Sequence, residues 1–244
     1  MNRKEIQDIT LQYYSQFCGV DLAEVKSGLY FVCSAARDQM LKGYGCKYSL
    51  FLLRRDSLTV AAYSPKHKEF MESLKGRGAE EILAAAEQNF QLKHRSLFLF
   101  RGETVTDYGS ARILEPADYS LYETFFRAVN PEADPEGWLR EYFTEKAEKG
   151  YMTGCVRDGR LVSVCDVPDM PYLEGKIQHT GIQTLPEEKR KGYARCAAGL
   201  ATHHLIESGI CPQWECNADN DASIGLAKSL GYEMFGLAHI LEEQ

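Results

Sequence analysis

The stretch Ile182-Gln183-Thr184-Leu185-Pro186-Glu187-Glu188-Lys189-Arg190-Lys191-Gly192-Tyr193-Ala194-Arg195 carries most of the information about the fold. Its apolar start reads as a strand, Pro186 blocks extension of that strand, and a helix opens with Gly192 near its first turn. Ala194, Ala198, Ala201 and Leu205 then follow at spacings of four, three and four, a small-residue face that can sit close on a sheet. Backbone N–H groups in a first helical turn have no helical partner, and the macrodipole adds partial positive charge there. A diphosphate satisfies both needs. Gly192 offers no Cβ to obstruct its approach, and Lys189, Arg190 and Lys191 add full charges at the entrance.

On either side of this stretch, from Arg112 onward, the elements are regular. Arg112–Leu114 reads as a strand and Pro116 starts a helix running to about Val129. Glu136–Lys149 is an amphipathic helix carrying Trp138, Leu139, Tyr142 and Phe143. Tyr151–Arg157 and Arg160–Asp166 form a hairpin about Asp158-Gly159, a strong two-residue turn signal. Gly175–Thr184 is expected as one strand and Lys189–Ser208 as a long helix. Pro212–Cys216 (strand), Ala222–Leu230 (helix) and Tyr232–Leu241 (one or two strands) close the chain. This order predicts a mixed α/β fold, a mixed sheet layered with helices. Before it, a helix over residues 1–20, strands at Leu29–Cys33, Tyr48–Leu53, Leu58–Tyr63 and Leu97–Phe100, and helices at His67–Leu74 and Ala79–Phe90 make a smaller α/β region. The polar Gly102–Ser110 segment is the natural joint, which gives units of 1–107 and 108–244.

The chain has 244 residues, 44% hydrophobic and 26% charged, with a net charge of −7. That acidic balance argues against nucleic acid as a partner. No apolar run approaches the ~20 residues of a membrane span, and the N-terminus lacks an apolar signal core. A cytoplasmic protein without a membrane partner is the expectation; oligomeric state is left open. The eight cysteines show no Cys-x-x-Cys pair, and His203-His204 are adjacent, so no metal site is expected.

Lys189-Arg190-Lys191-Gly192-Tyr193-Ala194, with Asn220-x-x-Ser223 and Ser229-Leu230-Gly231-Tyr232, resembles the acetyl-CoA signature and last helix–strand unit of the GNAT superfamily of N-acetyltransferases. The likeness covers about the last 135 residues, and the whole chain is similar to a subgroup with an extra N-terminal α/β region. It implies a GNAT-type sheet and acetyl-CoA as acyl-donor cosubstrate. Along Ile182-Gln183-Thr184, main-chain groups of Ile182 and Thr184 would pair with the pantetheine arm. The segment from Lys189 through Arg190, Lys191, Gly192, Tyr193 and Ala194 to Arg195 would cradle the pyrophosphate, and Asn220 and Ser223 would flank the pantetheine or adenine end. The Pro212–Cys216 strand would splay from Gln178–Thr184.

The implied reaction is direct attack of a primary amine, on a small molecule or peptide, upon the acetyl thioester. For an amine of pKa ~10.4 the neutral form costs about 4–5 kcal/mol at pH 7, so a base is expected. Candidates are His179 and Glu215 on the two central strands; Gln178, nearest the usual acidic position, is an amide and no base. Where the family often has a tyrosine acid, seven residues after the Asn, this chain has Ala227. The alternative is therefore a non-catalytic acyl-CoA-binding regulatory module.

Overall fold

A computed structural model describes residues 1–166 and 168–244. Among the described residues, eleven strands form two sheets: seven strands in the order β1-β3-β2-β11-β4-β10-β8, and four in the order β5-β6-β7-β9. The first half supplies α1 (Arg3–Cys18), β1 (Gly28–Cys33), β2 (Lys47–Arg55), β3 (Leu58–Tyr63), α2 (Lys68–Ser73), α3 (Ala79–Asn89) and β4 (Lys93–Phe100). β5 (Ala111–Ile113), α4 (Tyr119–Val129), α5 (Leu139–Glu148), β6 (Thr153–Arg157), β7 (Arg160–Asp166), β8 (Ile177–His179) and β9 (Gly181–Thr184) follow. α6 (Tyr193–Glu207), β10 (Cys211–Asn217), α7 (Asp221–Ser229) and β11 (Tyr232–Glu243) complete the chain.

Local chemistry sets the ends of these elements. Asn2 and Glu5 form a reciprocal capping box on α1, and Gly19 closes it in the left-handed region. Asp158 and Gly159 both have positive φ, as a tight two-residue turn between β6 and β7 requires. α1 lies on one face of the large sheet, where Phe17 stacks on Phe51 at 4.9 Å between centroids. The opposite face of β2 and β3 (Leu50, Leu52, Ala61, Tyr63) is covered by Met71, Leu74, Ile82 and Ala86 of the α2–α3 segment. α4 and α5 cover one face of the small sheet, with Tyr122 stacked on Phe143 at 4.6 Å. α6 packs on its other face, where the Thr153 hydroxyl donates to the Ala197 carbonyl at 2.8 Å.

Two expectations change. Gly175–Thr184 is not one strand: the run breaks at Thr180, and β8 pairs with β10 while β9 pairs with β7. The joint at 107/108 does not separate two sheets. β4, from before it, lies between β10 and β11, and β11 lies between β4 and β2. Leu53, Leu58 and Val60 accordingly share one core with Trp214, Tyr232 and Ile240. The physical reason is that β4 and β11 are long apolar strands whose two edges both need partners, and each finds one across the expected boundary.

Candidate active site

The break at Thr180 opens the sheet. β8 and β10 run parallel from Cys211↔Ile177 to Gln213↔His179. Thr180 N–H then donates to the Gln213 carbonyl at 3.0 Å, after which β9 turns away to β7. The direction of each peptide group on β9 follows from two bonds. Leu185 N–H donates to Val162 of β7, whereas Thr180 N–H points at β10. In an antiparallel ladder, alternate residues exchange both bonds with the partner strand and those between point away. Gly181 and Gln183 thus face β7, and the N–H and C=O groups of Ile182 and Thr184 face the side that β10 has left. An extended, amide-bearing chain could pair with that edge as an added strand. The Gln183 backbone is not available there: its carbonyl also accepts from the Ser163 hydroxyl at 3.0 Å, and its side chain donates to Asn130.

Beyond β9 the chain passes a short turn at Pro186–Glu188 and reaches α6. Arg190 has φ 63° and Gly192, at the N-cap, has φ 90°. This left-handed pair makes the main chain concave at the helix start, the kind of amide nest that holds anions. No side chain caps α6, so the first-turn amides of Tyr193, Ala194 and Arg195 lack an intrahelical acceptor. A Cβ built on Gly192 meets nothing within 4 Å, so the cradle is open. Lys189, Arg190 and Lys191 are exposed around it, and Arg195 is exposed in the first turn. Lys191 is partly neutralised by Glu188, whose carboxylate lies 3.0 Å from Lys191, 3.3 Å from Arg160 and 3.7 Å from Arg157. These cations, Lys191 first, hold Glu188 below the usual carboxylate range. Arg157 also donates to the Tyr193 hydroxyl at 3.0 Å, fixing the ring that follows Gly192. The residues present therefore fit a pyrophosphate.

Both candidate bases lie where the sheet opens. Parallel register puts His179 beside Gln213, and strand alternation puts Glu215 on the same face, toward α1. His179 Nε2 donates to the Glu215 carbonyl at 3.2 Å, and its Nδ1 is buried without a partner. Burial holds this imidazole down at about 4, so it is neutral at physiological pH. Burial pushes the Glu215 carboxyl above the usual carboxylate range, against the pull of Arg95 3.9 Å away. Gln178 is buried and donates to the Pro168 carbonyl at 2.6 Å.

The α7 residues have structural duties. Asn220 Oδ1 accepts from Ser223 N–H as the N-cap, and the Ser223 hydroxyl lies 3.1 Å from the Trp214 indole N–H that donates to it. Ala227 is fully buried, and its methyl group has no proton to give.

One further group carries no signal in the sequence. Asp166, at the end of β7, accepts from the Tyr122 hydroxyl at 2.8 Å and the Tyr142 hydroxyl at 2.5 Å. Burial, then the charge of Asp166, raises both tyrosines far above their ordinary pKa, so both remain donors. Asp166 pairs with Gly181, where a Cβ would lie 2.3 Å from the Asp166 carbonyl oxygen; only glycine permits this approach. With Phe126, Asn130, Tyr142, Pro168, Ile182 and Gln183, these two residues line a pocket of about 270 Å³ against β9.

Residues 63–236 match the family described as GNAT acetyltransferase, and the chain belongs to that family. It is 31% identical over 99 residues to the uncharacterized N-acetyltransferase YdfB of Bacillus subtilis (strain 168), a match covering 39% of this chain and 37% of the relative. The chain thus spans little more than a third of that relative's length. In fold it is similar to an acetyltransferase from the GNAT family of Colwellia psychrerythraea (TM-score 0.56, 12% identity, 100% of this chain and 98% of that one). It is also similar to a GCN5-related N-acetyltransferase of Sphaerobacter thermophilus (TM-score 0.51, 16% identity, 69% and 57%). The family match begins well before residue 108, in accord with β4 belonging to the central sheet. No helix among the described residues is long and apolar enough to cross a membrane.

Proposed function

We propose that the chain transfers an acetyl group from acetyl-CoA to a primary amine of a small molecule or peptide by direct attack. The observation that carries this is the free edge of β9, with the peptide groups of Ile182 and Thr184 aimed into the opening and the Gly192 cradle at its far end. Acetyl-CoA supplies a thioester carbonyl open to attack by an amine. The Ile182 N–H is a donor suited to negative charge growing on an acyl oxygen. Glu215, its proton affinity raised by burial, takes a proton from the amine. His179, neutral and hydrogen-bonded to the Glu215 carbonyl, acts in positioning and not as the base. This narrows the two sequence candidates to one.

Asp166 is the group suited to hold a cationic acceptor, since hydroxyl donors stabilise its negative charge and the pocket walls Phe126, Pro168 and Ile182 are apolar. Asp166→Asn is expected to raise KM for cationic amines about 10- to 100-fold, the worth of a charge-assisted hydrogen bond, and to leave acetyl-CoA affinity unchanged. An unaltered KM would remove Asp166 from the acceptor site.

Ala227 favours one other reading, a module that binds acyl-CoA without turnover. Release of free CoA from acetyl-CoA with an amine panel distinguishes the two: release proportional to amine supports transfer, and tight binding without release supports the module.

A further inference from the structure

Away from the acyl-transfer site, two histidines meet across the large sheet. His94 of β4 and His239 of β11 are direct cross-strand partners, and their Nδ1 atoms lie 2.7 Å apart. Glu87, in the last turn of α3, brings Oε1 to 3.9 Å from His94 Nε2. One donor atom from each of the three lies within 4.8 Å of the other two. We propose that Glu87, His94 and His239 form a binding site for a first-row divalent cation such as Zn²⁺, tying α3 to the β4–β11 ladder.

The donor set selects the ion. Two imidazoles with one carboxylate suit zinc, copper or nickel, whereas magnesium and calcium prefer oxygen alone. As a hydrogen-bonded pair, the rings share one proton between two nitrogens, and His239 Nε2 remains buried without a partner. A cation would take both Nδ1 lone pairs at once. Metal–nitrogen bonds of about 2.0–2.1 Å need the two nitrogens roughly 3.0–3.4 Å apart. The gap must open by a few tenths of an ångström, which His94 can provide because it is exposed. His239 is buried, and the Arg54 charge on the neighbouring strand is met by Glu80. His94 and Glu87 face solvent, so the site can load without opening the core and can keep water on its remaining positions.

The probe is ZnCl₂ titrated into the full chain by calorimetry, with the visible spectrum of Co²⁺ as a second readout and thermal melts as a third. One equivalent of Zn²⁺ should bind, Mg²⁺ should not, and Tm should rise with Zn²⁺ because the native state alone presents the three ligands. His94→Ala and Glu87→Gln change exposed side chains and should fold, as checked by circular dichroism. Each should weaken Zn²⁺ binding by about tenfold or more, at least the loss seen for outer-shell partners. Absence of saturable Zn²⁺ binding in the wild type would overturn the site. Equal affinity in His94→Ala would also overturn it, by locating the binding elsewhere, for instance on the exposed Cys33.

Discussion

Glu215 and His179 respond to burial in opposite directions, because burial disfavours whichever form is charged. For Glu215 this raises the pKa, and a base must be deprotonated to work. Turnover should therefore rise as pH increases through a value above the ~4.3 of a free glutamate. Stability runs the other way. The native state holds this proton more tightly than the unfolded chain, so Glu215 favours folding below the unfolded value and that contribution is lost as pH climbs through the raised one. Glu215→Gln is expected to lower turnover by ~10²–10⁴ and to abolish this acid limb. His179→Gln should leave the limb in place, since His179 titrates at about 4, and a limb that persists in Glu215→Gln would contradict the assignment. Both residues are legible in the sequence because each sits on a strand bordering the expected opening. Asp166 is not, because its importance comes from Tyr122 and Tyr142, which lie 44 and 24 residues away in sequence. Nothing in a period-two strand pattern marks its last acid as special.

Among the elements, the division of one expected strand into β8 and β9 makes the site. Apolar content alone cannot separate two short strands from one longer strand, so Gly175–Thr184 reads as continuous. The break becomes visible only when partners are known: β8 belongs to β10 and β9 to β7. Family likeness predicts the splay between the two central strands, and hydrogen-bond phase supplies its chemistry. Ile182→Pro tests that phase. It removes an N–H that β7 does not use, so the small sheet should persist with modest loss of stability. Acetyl-CoA affinity should fall by about tenfold, the worth of one hydrogen bond near 1 kcal/mol together with the bulk of the ring. The opposite phase supplies a control: Gln183→Pro should disrupt the β7–β9 ladder and the fold with it. If Ile182→Pro binds acetyl-CoA as tightly as the wild type, the free edge does not hold the pantetheine arm.

Across the chain as a whole, the main consequence is that β4, from the first half, lies between β10 and β11. The polar Gly102–Ser110 stretch reads as a boundary because local composition says nothing about which strands pair at long range. A fragment of residues 108–244 would leave β11 without either neighbour and β10 without β4. It is expected to remain unfolded or aggregate through the exposed edges, while the intact chain unfolds in one cooperative step; a soluble fragment with native circular dichroism would contradict this. The proposed function rests on acetyl-CoA lying between the free edge of β9 and the cradle at Gly192. Gly192→Asp places a negative charge on that cradle, at a positive φ that Asp tolerates better than most residues. The decisive measurement is calorimetric titration of acetyl-CoA into the wild type and into Gly192→Asp, with circular dichroism to confirm the fold. Saturable binding by the wild type and none by the folded variant is the expected result; equal affinity in the two would contradict the placement of acetyl-CoA.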